Sequence, residues 1–332
     1  RAVMASVTSD DITVAWGVQP PPIEAQTRRW RTGIFQDVQE SSDGKLLYFL
    51  YDPILDERSG TSGNRRRGNN CIVVFDLYLR CFTQEIPLSV PGSPKFLFAL
   101  RPLAVGGDTR AIVVSKTDSG GSGQQLHLTL LDLSTQGHLP ITHPLDIGRE
   151  FICTIREDAP ELIVMANPGL QYFNVRIMVL KTNEPLYVWY DAILPLSYDF
   201  QYYFSCRVVF LLSSNTDGSL DYTRLHILDM QTCALTTTSC SADPRKGFPT
   251  PRVHAAIVTI QGFIAVCGGE VVDRRVGRVE RMNDYWRLNL SSFQWEHLSG
   301  EMPVPLIEPR LTTTYGGHAY LWGDWDGNLP GI

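Results

Sequence analysis

Short apolar runs separated by polar turn residues are the main pattern along the chain. Two clear examples, residues 45–51 and residues 262–269, are rich in Leu, Ile, Val, Tyr and Phe. Runs of this length, bounded by Gly, Asp, Asn, Ser or Pro, are typical of β-strands. No segment of about a dozen residues has the apolar spacing of three and four that an amphipathic helix needs between its caps. The pattern therefore predicts a mostly β protein with little helix.

A longer repeat contains these runs: an apolar strand, a polar residue that begins a turn, and a bulky residue six positions later. Five copies fit, with polar and bulky members Asp76 and Phe82, Asp132 and His138, Lys181 and Tyr187, Asp229 and Leu235, and Asn289 and Trp295. The polar members are 56, 49, 48 and 60 residues apart. A spacing of about 50 residues is typical of the four-stranded blades of kelch propellers, while WD-repeat blades have about 40 to 45 residues. Each copy is interpreted as the turn between the two outer strands of a blade.

The fifth copy shows the resemblance most clearly. Pro251-Arg252 begins a strand, Gly268-Gly269 ends the next strand, and residues 283–290 lead to Trp295. This segment resembles a kelch repeat, in which the di-glycine allows a tight turn and the aromatic residues fill the space between neighbouring sheets. We expect Trp286 and Trp295 to be buried. The resemblance is strongest over residues 246–327 and weaker toward the N-terminus.

The number of blades follows from the ends of the repeat. A sixth unit begins at Pro309-Arg310, but its outer half would extend past the last residue, while residues 11–16 form a strand that belongs to no other unit. The resemblance therefore implies a six-bladed kelch-like propeller in one domain, 1–332, whose last blade is closed jointly by N- and C-terminal strands. The predicted blade boundaries are roughly 22–90, 91–146, 147–192, 193–243, 244–302, and 303–332 plus 1–21.

Composition and charge restrict the classes of partner. The chain has 332 residues, of which 29 are Lys or Arg and 35 are Asp or Glu, so its formal net charge is −6. Its apolar content of 43% is that of an ordinary globular protein. Nucleic-acid binding through a basic surface needs clustered Lys and Arg, and a membrane helix needs roughly 18 apolar residues in a row. We therefore expect neither nucleic acid nor membrane as a partner.

Cysteine usage indicates the compartment. Seven cysteines, an odd number, are dispersed along the chain without a CxxC pair. This pattern disfavours both a disulfide framework and a structural zinc site. We expect most of them to be buried, reduced thiols and the protein to be intracellular, in the cytoplasm, the nucleus or both.

Residues that could support catalysis do not form a recognised pattern. The seven histidines give no HExxH motif and no close His/Cys grouping, and the sequence contains no GxSxG motif and no phosphate-binding glycine loop. A copper radical oxidase of the kelch-like class would need converging tyrosine and histidine ligands, which the spacing does not indicate. We expect no catalytic residue, no metal and no cofactor.

Two arginine-rich clusters have open interpretations. Residues 65–67 are three consecutive arginines in a polar stretch, and residues 273–278 follow the di-glycine of the fifth copy. The simplest interpretation of each is a solvated hairpin tip. The functional alternative is an electrostatic contact with an acidic partner or a site controlled by modification.

The candidate binding residues precede or begin the predicted innermost strands. They are Arg29, Lys95, Arg149, Tyr202, Arg252, His254, Arg310 and Thr312. In kelch adaptors of ubiquitin ligases, arginines at comparable strand starts hold acidic motifs or a terminal carboxylate, which suits the forked guanidinium. The structural alternative is that the Pro-Arg arginines brace neighbouring blades.

The resemblance implies a protein or peptide-binding propeller that selects substrates for a ubiquitin ligase. Its ligand is expected to be acidic or to carry a free C-terminal carboxylate. Cullin-ligase subunits would then bind through a region outside this chain. The alternatives are a propeller enzyme, of the radical-copper oxidase or sugar epimerase type, and a cytoskeletal or scaffold propeller.

Overall fold

All regular structure in the described part of the chain is β-strand. The computed structural model describes residues 2–7, 12–17, 35–41, 43–52, 69–99, 110–118, 124–140, 145–148, 151–155, 161–166, 175–181, 187–194, 200–205, 208–213, 215, 217, 219–229, 232, 234–260, 262–273, 275–302, 304–313 and 318–324. Within these ranges there is no helix, and hence none with the length and apolar character to span a membrane. The prediction of an all-β fold is confirmed.

The strands are short and follow one another closely. The first fifteen are β1 (Ala2–Val7), β2 (Ile12–Gly17), β3 (Phe35–Glu40), β4 (Leu46–Tyr51), β5 (Cys71–Asp76), β6 (Cys81–Pro87), β7 (Ser93–Ala99), β8 (Arg110–Asp118), β9 (Gln124–Asp132), β10 (Gly137–Pro140), β11 (Leu145–Gly148), β12 (Phe151–Ile155), β13 (Glu161–Ala166), β14 (Val175–Lys181) and β15 (Tyr187–Leu194). The others are β16 (Phe200–Ser205), β17 (Val208–Ser213), β18 (Arg224–Asp229), β19 (Ala234–Ser239), β20 (Ala256–Ile260), β21 (Phe263–Cys267), β22 (Glu270–Asp273), β23 (Arg278–Arg281), β24 (Asp284–Asn289), β25 (Gln294–Glu301), β26 (Ile307–Thr313) and β27 (Ala319–Asp324).

The chain divides into two compact units. Unit 1 comprises Arg1–Gly17, Trp30–Gly33 and Asp199–Ile332, and unit 2 comprises Val18–Arg29 and Ile34–Tyr198.

Unit 2 contains three antiparallel sheets. Their strand orders are β3-β4-β5-β6, β10-β9-β8-β7 with β11 also paired to β9, and β12-β13-β14-β15. The first strands of successive sheets contact one another, β3 against β7 and β7 against β12. Apolar side chains from the first two sheets, among them Leu50, Ile72 and Val113, share one core. Neighbouring sheets therefore share a core between their faces and contact each other through their first strands, which is the arrangement of propeller blades.

Unit 1 repeats this arrangement. Its sheets are β16-β17-β18-β19, β20-β21-β24-β25 and β2-β1-β27-β26, and β22-β23 form a separate two-stranded hairpin. The first strand β20 contacts both β16 and β26. Each of the first five predicted blade segments contains one four-stranded or five-stranded sheet of units 1 and 2, to within two residues. The closure of six blades into one ring stays a prediction.

The two indoles of the fifth repeat are buried as expected. Trp286 is 4% exposed and Trp295 is 0% exposed. Both lie in a core that includes Phe210 and Leu212 of the preceding sheet. The aromatic positions of the repeat therefore fill the space between two neighbouring sheets.

The two ends of the chain contribute strands to one sheet. β1 lies between β2 and β27, and Ala5 is opposite both Val14 of β2 and Leu321 of β27. The strand that the sequence places at residues 11–16 is observed as Ile12–Gly17 in the same sheet as β27, with β1 between them.

The polar residue of the repeat begins a turn between outer strands, as predicted. The Asp76 side chain accepts hydrogen bonds from the backbone N–H groups of Tyr78 and Leu79, both at 2.8 Å. Asn289 does the same for Ser291 at 2.8 Å and Ser292 at 3.1 Å. A side chain that mimics a turn of the backbone in this way fixes the hairpin between two strands.

Candidate functional site

One end of each sheet combines three structural positions: the first strand begins there, the second ends and the third begins. In unit 2, Phe35, Tyr51 and Cys71 are opposite one another at this end. In unit 1, Cys267 is opposite both Ala256 and Tyr285. We call this position in each sheet the strand-start end. The predicted site residues Lys95, Arg252 and His254 belong to it.

In unit 2, the strand-start end contains a buried carboxylate. Asp52 follows β4 and is 0% exposed. Its Oδ2 atom accepts hydrogen bonds from the Ser93 hydroxyl, from Lys95 Nζ at 3.1 Å and from Gln36 Nε2 at 3.3 Å. We call these four residues the Asp52 network. The Lys95 side chain is 21% exposed, while the carboxylate that binds its ammonium group is fully buried.

A second carboxylate joins the first strands of the same two sheets. Asp37 of β3 is 7% exposed, and its Oδ2 atom accepts a hydrogen bond from the backbone N–H of Leu97 in β7 at 2.8 Å. A buried acceptor paired with a backbone donor is costly to disrupt, because the group left without a partner cannot return to water. Asp37 and the Asp52 network therefore fix β3 against β7.

In unit 1, Arg252 is a structural residue. Its side chain is 0% exposed. Its guanidinium donates to both carboxylate oxygens of Asp284, one of them at 3.0 Å, to the Gly268 carbonyl at 3.0 Å and to the Thr250 carbonyl at 2.9 Å. The side chain is enclosed and its donors are engaged by acceptors within the chain, which favours the bracing alternative for this residue. Contact of Arg252 with a peptide stays a prediction.

The surroundings of Asp284 favour its ionised form. Burial acts to raise the pKa of this carboxyl, but the hydrogen bonds and positive charge of Arg252 and the hydrogen bond from Trp286 outweigh it and lower the pKa below its usual value. Trp286 Nε1 donates to Asp284 Oδ2 at 2.7 Å. The buried pair is therefore charged at neutral pH and also fixes one of the two indoles.

The di-glycine allows the arginine to be enclosed. Gly268 and Gly269 have φ values of 59° and 96°, a backbone conformation that residues other than glycine rarely adopt. A Cβ atom at Gly269 would lie 2.9 Å from the Val253 carbonyl oxygen. This close approach lets Val253 and Glu270 exchange backbone hydrogen bonds of 2.9 and 2.8 Å.

His254 lies at the surface of the same end. It has a positive φ of 55°, and its side chain is 57% exposed. Its Nδ1 atom lies 3.6 Å from Glu270 Oε2, and Arg281 Nε lies 3.2 Å from the other oxygen of that carboxylate. Glu270 thus holds an imidazole and a guanidinium on opposite oxygens.

Three of the other predicted site residues lie in described strands. Arg310 and Thr312 of β26 are half-buried and lie opposite Trp322 and Tyr320 of β27. Tyr202 lies in β16 opposite Leu211. Arg29 and Arg149 are outside the described residues, as are the three arginines at 65–67. Within unit 1 the structure brings Arg252 and His254 to one sheet end, while Lys95 belongs to unit 2.

Sequence reasoning missed the acidic partners Asp52, Asp284 and Glu270. Glu270 directly follows the di-glycine and Asp284 begins the next strand of the main sheet, and their place in the fifth repeat was a usable signal, since a buried arginine needs a carboxylate. Asp52 follows a strand without a di-glycine, so nothing in the repeat marks it. Among the described residues, no group of three or more His, Cys, Asp and Glu side chains is placed to hold a metal ion.

The described cysteines match the expectation of buried thiols. Cys71, Cys153, Cys240 and Cys267 are buried, Cys81 is half-buried, and all five are thiols. Burial raises the pKa of the Cys267 thiol to about 12, with a smaller contribution from the Asp284 charge. This thiol is therefore neutral at physiological pH.

Comparison with curated proteins gives short, weak matches to kelch domain-containing protein 10 from several organisms. The chain is 27% identical over 119 residues to kelch domain-containing protein 10 from Rattus norvegicus, which is 35% of this chain and 27% of that protein. The Homo sapiens protein of this name gives the same identity over the same length, which is 25% of that protein. The Xenopus laevis protein is 32% identical over 77 residues, 23% of this chain and 17% of that protein. The chain thus spans about a quarter or less of these relatives.

No protein-family model matches the chain. Solved structures that resemble the chain over most of its length include YjhT and Kuenenia stuttgartiensis hydrazine synthase. YjhT has a TM-score of 0.48 and 11% identity, and the match covers 90% of this chain and 98% of YjhT. The hydrazine synthase has a TM-score of 0.49 and 10% identity, and the match covers 91% of this chain and 77% of that chain. The kelch relatives and the propeller-like sheets together support a kelch-type propeller, as the repeat predicts.

Proposed function

We propose that the chain is a six-bladed kelch-like propeller, closed jointly by its N- and C-terminal strands, that binds a segment of another protein at the strand-start end. The sheet β2-β1-β27-β26 supports the closure, because it combines strands from both ends of the chain. Closing the ring would pair sheet edges that otherwise expose backbone donors and acceptors.

One observation carries the binding proposal. Buried polar side chains fix the strand starts, and the side chains beside them reach the surface. Asp52 binds Lys95, and the buried Arg252, two residues before His254, binds the Gly268 carbonyl. Binding residues are typically carried by loops and strand ends on a rigid scaffold, because an ordered contact loses little entropy when the ligand arrives.

The ligand is proposed to be acidic or to end in a free carboxylate. The half-buried Lys95 and the exposed His254 supply nitrogen donors at the strand-start end of their units. Charge-assisted hydrogen bonds from such donors to carboxylates are about twice as strong as neutral ones. Arg310, Thr312 and Tyr202 complete the proposed set.

The biological role is proposed from the kelch resemblance. The protein selects substrates for a ubiquitin ligase in the cytoplasm, the nucleus or both, and cullin-ligase subunits bind a region outside this chain. The name kelch domain-containing protein 10 supports the kelch-type propeller and says nothing of a ligase. No catalytic step is part of the proposal.

Affinity purification of the full-length protein, followed by mass spectrometry, tests both the ligase role and the proposed binding site. The double variant Lys95→Gln/His254→Asn removes the proposed contacts with the ligand and is designed to preserve the fold. Glutamine can still donate to Asp52, and asparagine tolerates a positive φ. Lys45→Gln is the matched control, in the exposed turn at the opposite end of its sheet.

We expect cullin-ligase subunits with all three proteins, and a set of substrates that the double variant loses and the control keeps. Recovery of actin or membrane proteins without ligase subunits would overturn the adaptor role. A substrate set identical for the double variant and the wild type would overturn the strand-start end as the binding site.

A further inference from the structure

The two-stranded hairpin β22-β23 projects from the strand-start end of unit 1. It connects the second and third strands of its sheet, β21 and β24. Val272 is opposite Val279, and Glu270 is opposite Arg281. Since side chains directly opposite one another share a face, these four residues lie on one face. We call residues 270–281 the valine hairpin.

This hairpin exposes three apolar side chains. Val272, Val276 and Val279 are 43%, 71% and 50% exposed. They are three of the seven large apolar side chains that are exposed among the described residues. A cluster of exposed apolar groups in one short segment is typical of an interaction site, whereas single exposed apolar residues are not.

The base of the hairpin is fixed, while its tip carries charge. Glu270 binds Arg281 at 3.2 Å, and the backbone of Met282 donates to the Gly269 carbonyl at 2.8 Å. Arg275 and Arg278 near the tip are exposed, and within the described residues neither guanidinium has an ion pair with a carboxylate. The hairpin is therefore held in place and presents two cations beside three valines.

We propose that the valine hairpin docks a partner segment in which apolar residues stand next to acidic ones. Its apolar side chains cover Val272, Val276 and Val279, and its carboxylates pair with Arg275 or Arg278. The inference rests on the proposed function and specifies which surface of unit 1 the partner uses.

Charge selects this occupant over a second copy of the chain. The valine hairpin contains four arginines and three acidic residues, although the whole chain has a net charge of −6. A symmetric contact between two copies of the hairpin would double this excess of cations, and like charges in a contact are unfavourable. An acidic partner segment is attracted to the same groups. Glu270 also joins the hairpin to His254, so the docking surface continues the proposed site.

The test uses peptides selected on the intact chain from a random twelve-residue phage library. The best binder is synthesised with a fluorophore, and its Kd is measured by polarisation. The test variant is Val272→Thr/Val276→Thr/Val279→Thr, since threonine keeps the shape and β propensity of valine but replaces a methyl with a hydroxyl group. Leu235→Thr is the matched control, because Leu235 is 44% exposed on β19 of the same unit.

We expect selected peptides that combine apolar residues with Asp or Glu, binding the triple variant about tenfold or more weakly and the control as tightly as the wild type. Changing the peptide's acidic residues to amides should weaken binding to the wild type and have less effect on Arg275→Ala/Arg278→Ala. Unchanged melting temperatures show that the variants fold.

Three results would contradict the inference. If peptides bind the triple variant as tightly as the wild type but lose affinity for Lys95→Gln/His254→Asn, the hairpin is not the docking surface and the proposed function stands. If sedimentation shows a dimer that the triple variant abolishes, the occupant is a second copy. If no peptide binds the intact chain, both the inference and the proposed function fail.

Discussion

The carboxylate of Asp284 binds the guanidinium of Arg252 through both of its oxygens, across 32 positions of sequence. The same guanidinium also binds the carbonyl of Gly268. One buried side chain thereby connects the start of the first strand, the end of the second and the start of the third. This contact makes the strand-start end of that sheet a rigid support for the loops around it.

Loss of Arg252 should destabilise the protein strongly. Arg252→Ala leaves the Asp284 charge buried without its partner, and breaking a buried pair in this way costs about 3 to 5 kcal/mol. Arg224→Ala is the control, since Arg224 pairs with Asp221 but is 61% exposed, and an exposed pair contributes about 0 to 1 kcal/mol. Urea denaturation measures both. Equal losses in the two variants would show that Arg252 is not the brace.

Stability should fall with acid through Asp284. Its folded pKa is lowered from the ordinary value of 3.8, so the stabilisation is fully present above that value and is lost as the pH falls through the folded pKa. Asp284→Asn should be less stable at pH 7, and its free energy of unfolding should decrease less between pH 5 and pH 3. Parallel pH profiles for variant and wild type would contradict this assignment.

Trp295 should contribute through both its volume and its indole nitrogen. It is fully buried, and its Nε1 donates to the Tyr222 carbonyl at 2.7 Å. Trp295→Ala should cost about 3 to 5 kcal/mol. Trp295→Phe keeps much of the volume but loses the hydrogen bond, and should cost less. The free energy of unfolding of each variant tests the order, and ready acrylamide quenching of the native indoles would argue against their burial.

Pairing of the two chain ends should matter more inside the sheet than at its edge. Ala5 of β1 lies between Val14 of β2 and Leu321 of β27. A proline removes a backbone donor and is tolerated mainly on edge strands. We therefore expect Ala5→Pro to lower the melting temperature more than Val14→Pro on the edge strand β2. Identical melting curves for both variants and the wild type would contradict the closure.

The parts of the fold that depend on local sequence could be predicted. Asp76 and Asn289 begin turns because their side chains bind the backbone two and three residues later, and such a contact is visible in any short window of sequence. The burial of Trp295 followed from its place in the repeat. Leu235 holds the same place on β19 but is 44% exposed, and no residue of that strand is buried.

The candidate site depended on contacts that the repeat does not encode. Ser93 and Lys95 meet Asp52 from 41 and 43 residues away. A strand-start arginine is equally compatible with a ligand carboxylate and with an internal one, and only the position of Asp284 decides between them for Arg252. Sequence reasoning therefore named residues at the strand-start end of their sheets but not the internal carboxylates that two of them, Lys95 and Arg252, bind there.

Calorimetric titration of a selected peptide into the intact chain and its strand-start variants tests the central claim most directly. A charge-assisted contact to a ligand carboxylate contributes about 1.5 to 3 kcal/mol, so losing one should weaken binding roughly tenfold or more. The account predicts that loss in Lys95→Gln, in His254→Asn or in both, with unchanged affinity in Lys45→Gln and unchanged melting temperatures throughout. Full affinity in both strand-start variants would contradict it.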